Sequence, residues 1–252
     1  MKKLPKLLRT LPKTATPKKV LKKSKVDTTP NPEPMSPYTK DKPAPSLVTN
    51  LSITGPWPNR DFTHDGKWNT GITVLGLDPS LRGFGICQLN ERLQVHRTET
   101  WDGGKKLVGR ERMTYLITKL EHLVTNLKGT RRLYVVREDY AYSQSDAADT
   151  PLKELGGVIR WITEAKVPLY SVGIQSIKKF VSGNGNSKKE EMMRDALKNF
   201  GFEGDQNQVD ALGVSLLSMA VLCRDRITGL NKAQKDVIQS MVAKGHPLTT
   251  VT

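Results

Sequence analysis

Three acids stand where the chain changes direction rather than along the face of an element. Asp78 closes the aliphatic run "GITVLGLD", Glu138 closes "RRLYVVRED", and Asp210 opens the apolar stretch "VDALGVSLLSMAVL". In α/β folds such positions lie on the rim where ligands bind. Three carboxylates converging there would repel one another unless a hard cation neutralised them. Oxygen ligands of this kind select Mg2+ or Mn2+ over zinc or copper. Two such ions, about 3.5–4 Å apart, activate water and stabilise a leaving oxygen in phosphodiester hydrolysis. Each acid also has a plainer role: a turn former before Pro79, a solvated strand end, and a helix-start acid favoured by the dipole. Only the combination points to a metal centre.

The neighbours of these acids bear on the same chemistry. Asn207 precedes Asp210 by three residues, which on a helix is the same face. Its amide offers a metal a neutral oxygen but no charge, so the set holds three carboxylates and one amide. Asp205, two residues further upstream, falls ahead of the helix and is a weaker substitute. The loop "GNGNSKKEEMM" runs into a helix start, where Lys188 and Lys189 together with free backbone N–H groups attract phosphate. It lacks the GxxxxGK[ST] spacing of a nucleotide-binding loop. Strand alternation puts Tyr140 and Tyr142 on the side of Glu138, placed to stack on unpaired bases or to pack on the rim. Phe84, between Gly83 and Gly85, is open to two readings, a DNA contact or hairpin packing. The four histidines, His64, His96, His122 and His246, form no constellation, and His96 alone lies in a strand that can face the site.

The elements that must position these residues follow from hydrophobic periodicity. Runs at 71–78, 82–89 and 93–101 read as three successive strands. Apolar residues at Leu107, Met113, Leu116, Ile117, Leu120, Leu123 and Val124 keep helical spacing. Then come a strand at 131–139, a helix at 151–165, a strand at 167–172, a short helix at 174–181, a glycine-rich loop with a helix, and the long apolar helix of Asp210. A meander followed by alternating helices and strands is an α/β layer arrangement with a mixed sheet. The folded body is expected over about 70–226, with 227–252 forming a loosely attached terminal helix and a free end after Pro247.

Composition sets the outer bounds. The chain has 252 residues, 37% hydrophobic, with a formal charge of +15. Ten of the basic residues and no acid fall in 1–26, so the basicity belongs mainly to the front of the chain. Residues 1–66, rich in Lys, Pro, Thr and Ser, cannot bury enough apolar surface to offset ordering entropy, and read as a disordered basic arm. Such an arm binds phosphates without sequence preference and loses affinity steeply with salt. Cys87 and Cys223 make no disulfide framework and no zinc motif. There is no apolar run long enough for a membrane span. Pro5, Lys6 and Arg9 interrupt any signal-peptide core, and the prolines oppose an amphipathic presequence helix. The expectation is a cytoplasmic protein (host cytoplasm if viral), with organellar targeting as the lesser alternative.

Four segments in order, "VLGLDPSLRGFGI" at 74–86, "VVREDYAY" at 135–142, "GNGNSKKEEMM" at 183–193 and "NQVDAL" at 207–212, resemble the RuvC family of Holliday-junction resolvases, part of the RNase H-like nuclease superfamily. The resemblance spans about 72–223. It implies an RNase H-like fold, a five-stranded mixed sheet flanked by helices, and a homodimer that nicks two strands of a four-way DNA junction with Mg2+, or Mn2+, at two ions per site. Asp78, Glu138 and Asp210 match the family's acids, and Lys189 matches its catalytic lysine with Lys188 beside it. Asn207 stands where the family usually has a further Asp. The expected activity is therefore a crossover junction endodeoxyribonuclease. The alternative is a junction-binding protein whose catalysis Asn207 has weakened or removed.

Overall fold

The computed structural model describes residues 51–52, 71–104, 106–130, 132–139, 146–225, 227 and 229–250. Its centre is β2 (Ile72–Asp78), whose side chains are buried on both faces as far as Leu77. A strand with no polar alternation must be covered twice. Helices on both sides of the sheet do so.

The sheet has the order β1-β4-β3-β2-β5-β6. Strands β2, β3 (Phe84–Asn90) and β4 (Gln94–Trp101) form an antiparallel meander. Strands β5 (Arg132–Glu138) and β6 (Leu169–Val172) continue it in parallel on the other side of β2. On one face Leu75, Leu77, Ile86 and Val135 pack against α1 (Gly109–Leu127) and α2 (Asp146–Glu164). The other face, with Val74, Cys87, Val136 and Val172, meets α3 (Ile174–Ser182), α4 (Lys189–Phe200), α5 (Gln206–Leu222) and α6 (Lys232–Ala243).

Helix α5 is apolar all round because it is sandwiched between the sheet and three helices, and its residues from Ala211 to Val221 are all buried. It lies unusually close to the sheet. A Cβ on Gly76 would stand 2.5 Å from the Ala211 carbonyl oxygen and 2.9 Å from the Ser215 nitrogen. At the same crossing Ser215 Oγ donates to the Cys87 carbonyl at 2.9 Å, which leaves its hydroxyl satisfied in the core. Neither cysteine forms a disulfide and both are buried, and burial pushes the Cys87 thiol up to about 12, which makes it unreactive.

The five strands expected from periodicity are all present, and three features differ from expectation. A two-residue strand, β1 (Leu51–Ser52), from within the stretch read as an arm, pairs antiparallel with β4 and makes the sheet six-stranded. Helix α2 starts at Asp146, ahead of Pro151; a proline removes only its own i−4 bond, so packing of the rest carries the helix through it. Third, the C-terminal segment is packed rather than loose. Val237, Ile238 and Met241 of α6 join the core around α5, and Leu248 in the 3-10 turn Pro247–Thr249 is fully buried. Arg224 Nη1 donates to the Thr249 carbonyl at 3.0 Å. The Leu248 N–H donates to His246 Nδ1 at 3.2 Å, so Nε2 carries the proton and donates to the Ser171 carbonyl of β6 at 2.8 Å. Gln234, Val237, Ile238 and Met241 form one short stripe at i, i+3, i+4 and i+7, a pattern that marks a helix without showing that it joins the core.

Candidate metal centre

Strand pairing and one helix bring the three acids together. Leu77 pairs with Arg137 in the parallel β2–β5 ladder, so Asp78 and Glu138 close neighbouring strands side by side. On the other side Asp78 pairs with Gly85, and Gly85 pairs with Thr100. Thr100, Gly85, Asp78 and Glu138 thus form a row across four strands, at the ends where β2 and β5 finish. The first turn of α5 lies over that row. A Cβ on Gly85 would overlap the Asn207 carbonyl group, with the Asn207 carbonyl carbon 2.7 Å away, and one on Gly83 would stand 2.5 Å from Asn207 Nδ2. Glycine at both positions is what lets the helix start settle here. Asp210, one turn on, faces the acids of the sheet.

The electrostatics show that the three groups share one space. Burial is the main cause that raises the Asp78 carboxyl to about 7, followed by the charge of Asp210, with Lys189 opposing. Burial raises Glu138 to about 8, followed by Asp78 and Asp210, with Lys178 opposing. Asp210 is also raised, again by burial first, against a hydrogen bond from Gln206 Nε2 at 3.3 Å and the charges of Lys189 and Lys178. Two carboxyls held near neutrality by burial and by each other form a charge-deficient set of hard oxygen donors. That chemistry fits a divalent cation, which would restore all three to carboxylates. Among the described residues no three acid, histidine or cysteine side chains stand close enough, as they lie, to hold a metal ion between them. The acids are half-buried at the strand ends, whereas a cavity of about 270 Å³ lies at the opposite end of β2 beside Gly71 and Asn90.

The remaining candidates divide. Lys189 begins α4 and acts on Asp78 and Asp210. Lys188, just ahead of it, is exposed, and its N–H donates to the Glu191 carboxylate at 2.9 Å, closing the first turn. Tyr140, Tyr142 and His64 lie outside the described residues. Phe84 is not a DNA contact: its ring is fully buried and stacks on Trp101 at 5.5 Å. Alternation explains this, since Gly85 faces α5 and its neighbour must face α1. His96 does not reach the site either. It sits near the β3–β4 register shift, with Nε2 2.8 Å from Asn90 Nδ2, at the far end of β3 from Gly85. Asp205 is the N-cap of α5; its Oδ1 accepts from the Gln208 N–H at 3.0 Å and from Thr100 Oγ1 at 2.8 Å.

Sequence reasoning missed Lys178. This half-buried residue of α3 acts on both Glu138 and Asp210. In the sequence it is only a lysine flanking the apolar residues Ile177, Phe180 and Val181, which is how any surface helix looks.

A mixed sheet with an antiparallel meander, a parallel extension and acids at the adjoining strand ends defines an RNase H-like fold with a carboxylate centre on its rim. No family model matches the chain. It is 25% identical over 155 residues to the crossover junction endodeoxyribonuclease RuvC of Ehrlichia ruminantium (strain Welgevonden), covering 58% of this chain and 94% of that protein. It is 24% identical over 155 residues to the crossover junction endodeoxyribonuclease RuvC of Prochlorococcus marinus, covering 59% and 98%. Among solved structures, T. thermophilus RuvC in complex with Holliday junction substrate matches with 19% identity and a TM-score of 0.49, over 57% of this chain and 90% of that one. The chain is RuvC-like.

Proposed function

We propose that this protein is a metal-dependent endonuclease that resolves four-way DNA junctions by paired nicks. The observation that carries this reading is the convergence of Asp78, Glu138 and Asp210 at one end of the sheet with Lys178 and Lys189 within electrostatic reach. The relatives named crossover junction endodeoxyribonucleases support it. The three carboxylates, with the Asn207 amide as a neutral fourth donor, would hold Mg2+ or Mn2+, two ions in this reading. When bound, the metal supplies Lewis acidity and activates water. Lys189, at the start of α4, draws the phosphate to the rim together with the free N–H groups of that helix end. Lys178, on the Glu138 side, offsets negative charge as it builds on the phosphate. The reaction adds water oxygen to phosphorus and breaks the bond to the 3′ oxygen, leaving a 3′-hydroxyl and a 5′-phosphate.

Paired nicks require two sites related by symmetry, and the outer face of α2 supports a homodimer. Trp161 is 77% exposed there, and one turn earlier Gly157 has open space above it. A projecting ring and a gap on one helix face are self-complementary about a twofold axis.

Incubating a synthetic four-way junction with the protein and Mg2+ should give symmetric nicks, and Asp78→Asn should reduce them by at least a hundredfold. Nicking that survives in Asp78→Asn would overturn the metal-site assignment. The second reading, junction binding without cleavage, draws on Asn207. It predicts tight binding of the junction with no nicks in Mg2+ or Mn2+.

A further inference from the structure

A short C-terminal turn is tied to the edge of the sheet through one histidine. His246 opens the 3-10 turn Pro247–Thr249, and both of its ring nitrogens are committed. Nδ1 accepts the Leu248 N–H at 3.2 Å, and Nε2 donates to the Ser171 carbonyl of β6 at 2.8 Å. Only a neutral imidazole with its proton on Nε2 does both. The backbone around the ring is equally fixed. The Thr249 N–H and Oγ1 donate to the His246 carbonyl at 2.8 and 2.6 Å, and the His246 N–H donates to the Met241 carbonyl at 3.0 Å. This turn carries Leu248 to full burial in the core around α5. Beneath it, Ser171 Oγ accepts from Arg137 Nε at 3.1 Å.

We propose that this segment is a pH-sensitive strap, closed over the outer edge of β6 by neutral His246 and opened when the ring takes a second proton. Histidine is the side chain whose ordinary range puts that change between pH 5 and 8. The added proton lands on Nδ1, where it meets the Leu248 N–H, donor against donor, and the turn loses its cap. The charged and titratable groups on the packed elements are Arg224 after α5, Lys244 after α6, Tyr170 on β6, Arg137 on β5 and Asp139 just past it. Arg224 donates to the Thr249 carbonyl, and like Arg137 and Lys244 it has no oxygen to accept a new N–H. Asp139 belongs to the inner side of β6, where its N–H donates to the Val172 carbonyl. The Ser171 carbonyl, one residue earlier, points to the opposite edge, where His246 sits. Opening the strap frees Leu248 from the core and bares that edge, which can then pair with another chain. The strap stands independently of the metal-centre reading.

The test is amide hydrogen exchange, followed by NMR on the full-length protein, for wild type and His246→Gln at pH 7.5 and pH 5. It is read as protection factors for Leu248 and Thr249 against Leu216 and Leu217 inside α5. Glutamine offers an acceptor and a donor and never charges, so it can hold the strap at both values. In wild type, protection at Leu248 and Thr249 should fall about tenfold at pH 5 while the α5 amides keep theirs, the mark of a local opening. His246→Gln should keep its protection throughout. Equal wild-type protection at the two pH values overturns the proposal. An equal loss in His246→Gln does so too, because the pH response then lies elsewhere. Should His246→Gln leave the strap open even at pH 7.5, the ring 15N shifts of wild type decide. The neutral Nε2–H form should give way to the imidazolium as protection is lost, and an imidazolium in a strap still protected overturns the proposal.

Discussion

Burying two acids beside each other has a cost that pH should expose. In the folded chain Asp78 titrates at about 7 and Glu138 at about 8, both raised first by burial and then by neighbouring acids. In the unfolded chain such groups titrate near 4. Between those limits the folded state binds more protons than the unfolded state, so stability falls as pH rises. Any advantage is intact below about pH 4 and lost once pH passes about 8. In EDTA, the melting temperature should therefore decline from pH 5.5 to 8.5. Mg2+ should restore it more at the upper end, because the cation binds the carboxylates and not the acids. Thermal melts of wild type against the Asp78→Asn, Glu138→Gln double variant measure this. The variant should show a flatter profile in EDTA, and equal slopes would contradict the shared burial of the two acids. The same residue scale shows what the sequence made legible. Acids at element ends were readable because type and position both carry chemistry. Phe84 was not, because a ring between two glycines looks exposed until the opposite face of the hairpin is known to hold α1.

At the scale of elements, continuous apolar runs gave the strands and helices their places, and glycine spacing foreshadowed the turn at Gly83 and Gly85. The link from Thr100 to Asp205 spans 105 residues, and no local pattern signals it. Lys178 was hidden for a similar reason, since only the packing of α3 against α5 brings a flanking lysine within electrostatic reach of Glu138 and Asp210. The C-terminal segment is the clearest case. Strand β6 is a four-residue sheet edge, and an open edge invites unwanted pairing. His246 covers it by donating to the Ser171 carbonyl, while Ser171 Oγ accepts from Arg137 Nε at 3.1 Å on the strand of Glu138. Leu248 anchors that cover in the core. Leu248→Ala should destabilise the protein by about 2–5 kcal/mol, the usual cost of emptying a fully buried leucine site. Chemical denaturation would register it, and a change below about 0.5 kcal/mol, the range of ordinary surface substitutions, would mean that the segment is not anchored.

For the whole molecule, the proposed reaction demands two centres acting on one junction, and a single copy presents only one rim. The face that can join two copies must be apolar, exposed and clear of that rim. Trp161 meets these conditions on α2, which packs on the opposite side of the sheet from α5. Leaving a tryptophan 77% exposed forfeits a large apolar burial that a second copy would recover. The neighbouring Arg160–Glu164 pair, 3.6 Å apart and exposed, gives this face a polar rim of the kind that surrounds interface cores. Trp161→Glu would place a charge against its own image across the twofold axis. Sedimentation should then show a dimer for wild type and a monomer for the variant at the same concentration. Mn2+ binding should be unchanged, because α2 packs on the face of the sheet opposite to α5, which carries Asp210. Junction cleavage should shift from paired nicks to single, uncoupled ones. A variant that remains dimeric, or a monomer that still cuts both strands in concert, would place the twofold axis elsewhere.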